Sequence, residues 1–330
     1  MAGFFDIKVS RDRRDDKFTT PKAYDRGLIM IHEYSAKANA KINIFLKVCG
    51  KYPNGYHRLY MLMQEIDLAD DIKVTIDDDR DFGIAVASDR ADFDMKKDLC
   101  YRAAESFYKE IGDETRCGFT EITAIKHTPA QAGLGGGSSD AAAILKILNK
   151  HYGEPIGLTR MLEIAAALGA DVPFFLYGGS AFCEGIGEIV TPLPSLKGLK
   201  LLLVKPAQGV PTGPCFKAVD AVTEIFDEEE YKNFMGSVFM DETLSPSDRI
   251  RKAGGRLTND LQVPAVAEVP LIEELLGLIG ETDCLFAAMS GSGSTVYGIY
   301  EDNTAAELAK AKAEADPRTA GCKLCLAEML

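Results

Sequence analysis

The sequence predicts an α+β fold in two domains. The chain has 330 residues, about two domains' worth at roughly 150 residues each. Its first third strings together short runs of β-formers at close spacing, the mark of antiparallel strands. Helical stretches are scattered among the strands with no regular strand–helix alternation, so a doubly wound parallel sheet is not expected.

Residues 1–34 read as an extension. They carry mixed charges (Arg11, Asp12, Arg13, Arg14, Asp15, Asp16) and little periodicity, and a solvated arm is the plain expectation. Met30, just before the first strand-like run, is an alternative start. Ordered patterning begins at Ala36, and Lys41 to Val48 is rich in β-formers. Tyr52-Pro53-Asn54-Gly55 makes a turn in which Asn-Gly supplies positive φ. Tyr60 to Leu68, Ile72 to Ile76 and Phe82 to Ala87 are further strands, the last two parted by an acidic turn at Asp77, Asp78, Asp79 and Asp81. Leu99 to Ile111 has helical period with Asp98 as N-cap, and Phe119 to Lys126 is a strand. A glycine loop follows, then helices over Asp140 to Tyr152 and Thr159 to Leu168, and short strands near Ala181 and Ile189.

Pro192-Leu193-Pro194-Ser195 is the best candidate boundary, giving domains at 35–195 and 196–330. In the second, Lys200 to Val204 is a strand and Cys215 to Phe226 a helix. Asp227 to Gly255 is charged and partly helical. Val263 to Ile279 is helical, interrupted at Pro264 and Pro270. Leu285 to Met289 and Thr295 to Ile299 are strands around a Ser-Gly-Ser-Gly turn. Thr304 to Ala315 is a helix and Lys323 to Glu328 a last strand.

Composition removes several function classes. Lys plus Arg number 37 against 50 Asp plus Glu, a net charge of −13. Nucleic-acid binding needs a basic face and is not expected. No apolar run approaches the roughly 20 residues of a membrane span, and the N-terminus lacks the apolar core of a signal peptide. The eight cysteines read mostly as reduced, buried thiols of a cytoplasmic protein. Cys322 and Cys325 form a lone CxxC with no second ligand pair for zinc.

Gly133-Leu134-Gly135-Gly136-Gly137-Ser138-Ser139 is the strongest local signal. It follows a strand and opens a helix. Its glycines let the backbone approach a ligand closely, and the helix N-terminus favours a phosphate. A Walker loop would need Gly-Lys-Ser/Thr, and a Rossmann loop a third glycine where Ser138 stands. A nucleotide phosphate held by backbone amides is a better reading than a bare glycine turn capped by serine, with Ser138 and Ser139 able to cap the helix, donate to phosphate or ligate Mg²⁺. Asp171 offers a lone carboxylate just after a helix, with Pro173 expected to hold Val172 extended. It is either a turn residue or a base. Lys41 and Asn43 share a strand face, where a lysine is ordinarily exposed. His57 has no metal-ligand cluster around it.

Together these pieces resemble the GHMP kinase superfamily. The resemblance rests on Ala40 to Asn43 with Phe45 and Leu46, on Asn54-Gly55-Tyr56-His57, and on the loop from Gly133 to Ser139. It continues through Leu168 to Phe174, Glu184 to Glu188, Pro211 and Thr212 with Phe216 and Lys217, and Ser290 to Gly293, covering about residues 35–330. Gly-Tyr-His in this order of blocks resembles the branch acting on a cytidyl diphosphate sugar alcohol.

The resemblance implies a ribosomal-protein-like N-terminal domain and a ferredoxin-like C-terminal domain. It implies ATP with Mg²⁺ over the loop residues Gly133 to Ser139, and Lys126 on the adenine side. Asp171 would be the catalytic base and Lys41 its partner. Tyr56, His57 and Phe216 would hold a cytosine, with Asn43, Gly291 and Gly293 also on the substrate side. No protein-held metal site and no obligate protein partner are expected. Two departures stand out: Asp98-Leu99 where the family often has Asn, and Ser-Gly-Ser-Gly where it has Thr-Gly-Thr-Gly. The rival readings are a kinase of homoserine or a mevalonate derivative, and a catalytically dead nucleotide-binding regulator.

Overall fold

Two sheets organise the chain. The structure, a computed structural model, describes residues 8–9, 31–89, 94–112, 117–220 and 227–330. The first sheet contains β1 (Lys8–Val9), β2 (Ile31–Lys51), β3 (His57–Asp77), β4 (Gly83–Ser88), β5 (Phe119–Ile125), β6 (Ser180–Gly185) and β7 (Ile189–Pro192). Its order is β1-β2-β3-β5-β4, with β6 pairing β3 and β7 pairing β6. Around it lie α1 (Leu99–Ile111), α2 (Gly136–His151), α3 (Leu158–Leu168) and α4 (Val172–Tyr177). The second sheet runs β11-β8-β10-β9, from β8 (Lys200–Lys205), β9 (Phe286–Met289), β10 (Val296–Tyr300) and β11 (Lys323–Glu328). Its helices are α5 (Thr212–Val219), α6 (Glu228–Phe239), α7 (Pro246–Ala253), α8 (Gln262–Glu268), α9 (Leu271–Gly280) and α10 (Asn303–Ala315).

Several expectations change. Strand β2 starts at Ile31, not Ala36, and Lys8–Val9 pairs with Tyr34 and Ser35. The rest of the solvated-arm expectation lies outside the described residues. The runs at 60–68 and 72–76 are one strand, β3. The intervening Ala69 to Asp71 stay paired to β2, because a polar residue interrupts apolar patterning without breaking the ladder. Strands β4 and β5 are parallel, not antiparallel, since α1 between them returns the chain to the same end of the sheet. Asp98 caps α1 as expected, accepting the Cys100 amide at 2.8 Å.

Helix α2 begins four residues before Asp140, so Gly136 to Ser139 are its first turn. Val172 is helical, not extended, because Pro173 sits in the first turn of α4, where a missing N–H is harmless. The helix expected over 215–226 is α5, starting at Thr212; residues 221–226 lie outside the described residues.

Burial along β2 alternates up to Asn39 and is then continuous from Ala40 to Leu46. One-sided strands alternate, and strands covered on both faces do not. The second cover is the C-terminal half: Phe45, Tyr60 and Phe182 pack with Leu201, Tyr231, Phe239 and Tyr297. The Leu46 amide donates to the Thr258 carbonyl at 2.8 Å, and the Asp260 amide returns to Leu46 at 2.9 Å. The apolar packing therefore runs across residue 195, while each sheet stays on its own side of it. On the far face of the first sheet lies α2, whose residues Ala141 to Leu145, Ile147 and Leu148 are all buried.

Candidate active site

A cleft of about 800 Å³ opens where α2 starts, between the two sheets. Its back wall is a crossing of two glycine turns. Gly133 has φ +74°, and a Cβ there would lie 1.9 Å from the Ser290 carbonyl oxygen. Only glycine allows this approach. The Ser290 hydroxyl donates to the Gly133 carbonyl at 2.9 Å and accepts the Asn43 amide at 3.2 Å. The Asn259 side-chain amide donates to the Met289 and Gly291 carbonyls, both at 2.8 Å. Thus β2, the glycine loop and the β9–β10 turn are locked together.

Lys41 is buried at this crossing, not exposed as a strand lysine usually is, because the second half of the chain covers it. Its ammonium donates to the Asn43 side chain at 2.5 Å and the Gly133 carbonyl at 2.9 Å. It stands 3.6 Å from a carboxylate oxygen of Asp171. The Asp171 side chain is 31% exposed against 4% for Lys41, so the carboxylate is the member of the pair that a ligand can reach. Gly135 also has positive φ, and a Cβ there would press on Phe175 and on Lys41 itself.

Helix α2 makes its first intrahelical bond from the Ser139 amide to the Gly135 carbonyl. The amides of Gly136, Gly137 and Ser138 precede that bond and belong to the unsatisfied first turn of a helix, at its positive end. Gly133 to Ser138 line the cleft. Ser139 does not, since it is buried against the interior.

The other expected site residues divide. Asn43, Phe216, Gly291 and Gly293 line the same cleft, as does Lys126. The Lys126 ammonium pairs with Asp70 and Asp140, and these neighbours hold it above the usual lysine range against the cost of burial. His57 lies behind the cleft wall. It stacks on Phe216 with centroids 5.4 Å apart, and its Nε2 is 2.7 Å from Asp220. Lys51 also pairs with Asp220 at 2.6 Å, and Lys51 and His57 together pull that carboxyl below its usual range. An ionised carboxylate only accepts, so Nε2 donates. Tyr56 is 60% exposed on the turn and does not line the cleft.

Sequence reasoning passed over Asn259, which holds the β9–β10 turn, and gave Thr212 no role beyond the resemblance, although its hydroxyl is 2.9 Å from that of Ser292. Asp70 and Asp140 were missed too. Asp140, directly after the two serines, carried a signal; Asp70, one of two successive aspartates in a strand, carried none. Among the described residues no group of three or more His, Cys, Asp or Glu is placed to hold a metal ion.

A helix start offering free amides, set opposite a Lys–Asp pair between two sheets, is the equipment of a small-molecule phosphotransferase. The chain belongs to the GHMP kinases: the profile described as GHMP kinases N terminal domain matches residues 98–179 and that described as GHMP kinases C terminal matches 248–318. Its relatives narrow the class. It is 39% identical over 274 residues to a 4-diphosphocytidyl-2-C-methyl-D-erythritol kinase of Desulfitobacterium hafniense (strain Y51), covering 82% of this chain and 88% of that one. A protein of the same name from Geobacter sp. (strain M21) is 36% identical, covering 84% and 93%. A crystal structure of 4-(cytidine 5'-diphospho)-2C-methyl-D-erythritol kinase superposes with a TM-score of 0.69 at 29% identity, over 89% of this chain and 98% of that one. A homoserine kinase from Cytophaga hutchinsonii shares the fold, with a TM-score of 0.68 at 16% identity over 94% and 97%.

Proposed function

We propose that the chain transfers the γ-phosphoryl group of ATP to the 2-hydroxyl of 4-diphosphocytidyl-2-C-methyl-D-erythritol, a step toward isoprenoid precursors. The observation that carries the mechanism is the Lys41–Asp171 pair, 3.6 Å apart on the cleft wall. Phosphoryl transfer asks for positioning and charge neutralisation more than covalent chemistry. The amides of Gly136, Gly137 and Ser138 bind the phosphates. Asp171 accepts the hydroxyl proton on a carboxylate oxygen as the new O–P bond forms and the bond to ADP breaks. Lys41, fixed by Asn43 and Gly133, offsets the charge of Asp171 and of the moving phosphoryl group.

Mg²⁺ is usually held by one or two protein groups plus substrate phosphates, not by an all-protein cage. The half-buried Ser138 hydroxyl at the cleft fits that role, and the ion would neutralise phosphate charge. On the acceptor side Phe216 presents to the cleft a flat face suited to a pyrimidine, and His57 stacks on that ring from outside the cleft, next to Tyr56 on the turn. Asn43, Gly291 and Gly293 line the floor near the acceptor. The two sheets support domains at 35–195 and 196–330. No helix among the described residues is long and apolar enough to cross a membrane, and all eight cysteines are free thiols. We read the chain as a cytoplasmic enzyme acting on a small molecule.

The deciding experiment offers purified protein ATP, Mg²⁺ and a panel of alcohols, cytidyl and non-cytidyl, and follows ADP formation and the new phosphomonoester by phosphorus NMR. Turnover confined to the cytidyl alcohol is expected. Equal turnover of homoserine or a mevalonate derivative, or none with any alcohol, would sink the reading.

A further inference from the structure

The C-terminal end of α5 carries a clamp that the phosphoryl-transfer mechanism does not use. Lys51 closes β2, His57 opens β3, and the two face each other across the hairpin. Asp220, at the C-cap of α5, takes one donor from each strand. The Lys51 ammonium lies 2.6 Å from one carboxylate oxygen, and the His57 Nε2 lies 2.7 Å from the other. Phe216 and Asp220 are four residues apart and share a face of the helix. One imidazole therefore meets Asp220 through Nε2 and stacks on Phe216, with ring planes 28° apart. Centroids at 5.4 Å mark an offset pair, so part of the imidazole lies beyond the phenyl rim. At its other end α5 is tied to the β9–β10 turn through the Thr212 and Ser292 hydroxyls.

We propose that Asp220 is a positioning residue for base selection: it holds the proton of the neutral His57 imidazole on Nε2 and leaves Nδ1 as an acceptor, the polarity that fits cytosine and rejects uracil. The inference rests on the cytidyl acceptor proposed above.

An ionised carboxylate only accepts, and Lys51 and His57 hold the Asp220 carboxyl below its usual range. The nitrogen facing it must then carry hydrogen. In a neutral imidazole the hydrogen bond at one nitrogen decides the role of the other, so Nδ1 offers a lone pair. Among the described residues Nδ1 has no hydrogen-bond partner. Cytosine presents an amine where uracil presents a carbonyl oxygen. An acceptor at that edge bonds the first and repels the second. An imidazole without Asp220 would exchange between tautomers, and the form with hydrogen on Nδ1 suits uracil. Lys51 and Asp220 are each 46% exposed, and exposed pairs add little to stability. The clamp therefore sets hydrogen-bond polarity more than it strengthens the fold.

The test begins on the whole protein without substrate. Imidazole nitrogen-15 spectra are taken at pH 8, above the ordinary imidazole range, with His57→Gln to assign the signal. His57 should be protonated at Nε2 in the wild type and should mix tautomers in Asp220→Ala. A wild-type ring protonated at Nδ1, or a tautomer unmoved by the variant, overturns the proposal. With substrates, the cytidyl-over-uridyl ratio of kcat/KM should narrow about threefold in Asp220→Asn, whose amide oxygen still accepts from Nε2, and nearer tenfold in Asp220→Ala. The KM for ATP and the urea midpoint should keep their wild-type values. A merely structural role would raise the KM of both acceptors alike and leave the ratio in place, and that result also overturns the proposal. Failure of the acceptor assignment shows separately, as wild-type protein that turns over no cytidyl alcohol, and it would take the base-selecting role with it.

Discussion

Gly133→Ala should damage stability and catalysis together. The added methyl would lie 1.9 Å from the Ser290 carbonyl oxygen, where ordinary contact begins at 3.4 Å, so the two loops must part by about 1.5 Å. A side chain at φ +74° costs about 1–2 kcal/mol. Overpacking a tight contact adds about 1–3 kcal/mol. Separation also breaks the Ser290–Gly133 and Asn43–Ser290 hydrogen bonds, at about 0.5–1.5 kcal/mol each. Together these come to about 3–8 kcal/mol, which urea unfolding resolves easily. The Gly133 carbonyl also anchors the Lys41 ammonium at 2.9 Å. A shift of about 1 Å in such a group costs on the order of 10²-fold in rate, so kcat should fall by about that much in the folded fraction. Less than about 1 kcal/mol lost, with kcat within about twofold of wild type, would refute the idea that this crossing sets the position of Lys41.

Asp171→Asn should fold normally, bind ATP as before and lose about 10²–10⁴-fold in kcat, since only the proton acceptor is removed; single-turnover rates and nucleotide titration check this. Stability should fall as pH rises from about 4 toward 7, because folded Asp140 keeps its proton up to about 7 while the unfolded carboxyl loses it near 3.8. Unfolding of Asp140→Asn across that range should lack this fall. His57→Ala should narrow the cytidyl-over-uridyl ratio of kcat/KM about tenfold and spare ATP affinity. Asp220→Asn, which changes what His57 Nε2 meets at 2.7 Å, should narrow the same ratio by less; an unchanged ratio in both would remove His57 from base recognition.

The glycine loop, Asp171 and the order of blocks were legible from the sequence because each is a local pattern with a local cause. Gly133 and Gly135 need positive φ, and glycine is the residue that adopts it cheaply. The capped helix α1 and the strand β11 were also legible, since Asp98 and the alternation from Lys323 to Glu328 act within a few residues. The start of α2 was misjudged because glycines disfavour helix, yet here Gly136 packs closely on Thr128 and Asp70, and Gly137 lies beside Leu99. Val172 was misjudged for a similar reason: a proline restrains its neighbour, but not when it opens a helix.

What the tertiary structure alone decided concerns residues whose partners lie far off in the chain. Lys41 reads as a surface lysine until residues 133, 171 and 290 close over it. Asp70 meets Lys126 and Asp140 across separations of 56 and 70 residues, and no pattern within β3 distinguishes it from Asp71, which is exposed. Lys126, expected on the adenine side, is doubly paired in space. His57 reads as a polar group for a ligand, whereas one of its two nitrogens is given to Asp220. Sequence determines which backbone conformations and burial patterns each segment prefers, because those depend on neighbours along the chain. Charge pairing, burial of a lysine and the loop crossing at Gly133 depend on distances that exist only after both sheets have packed against each other.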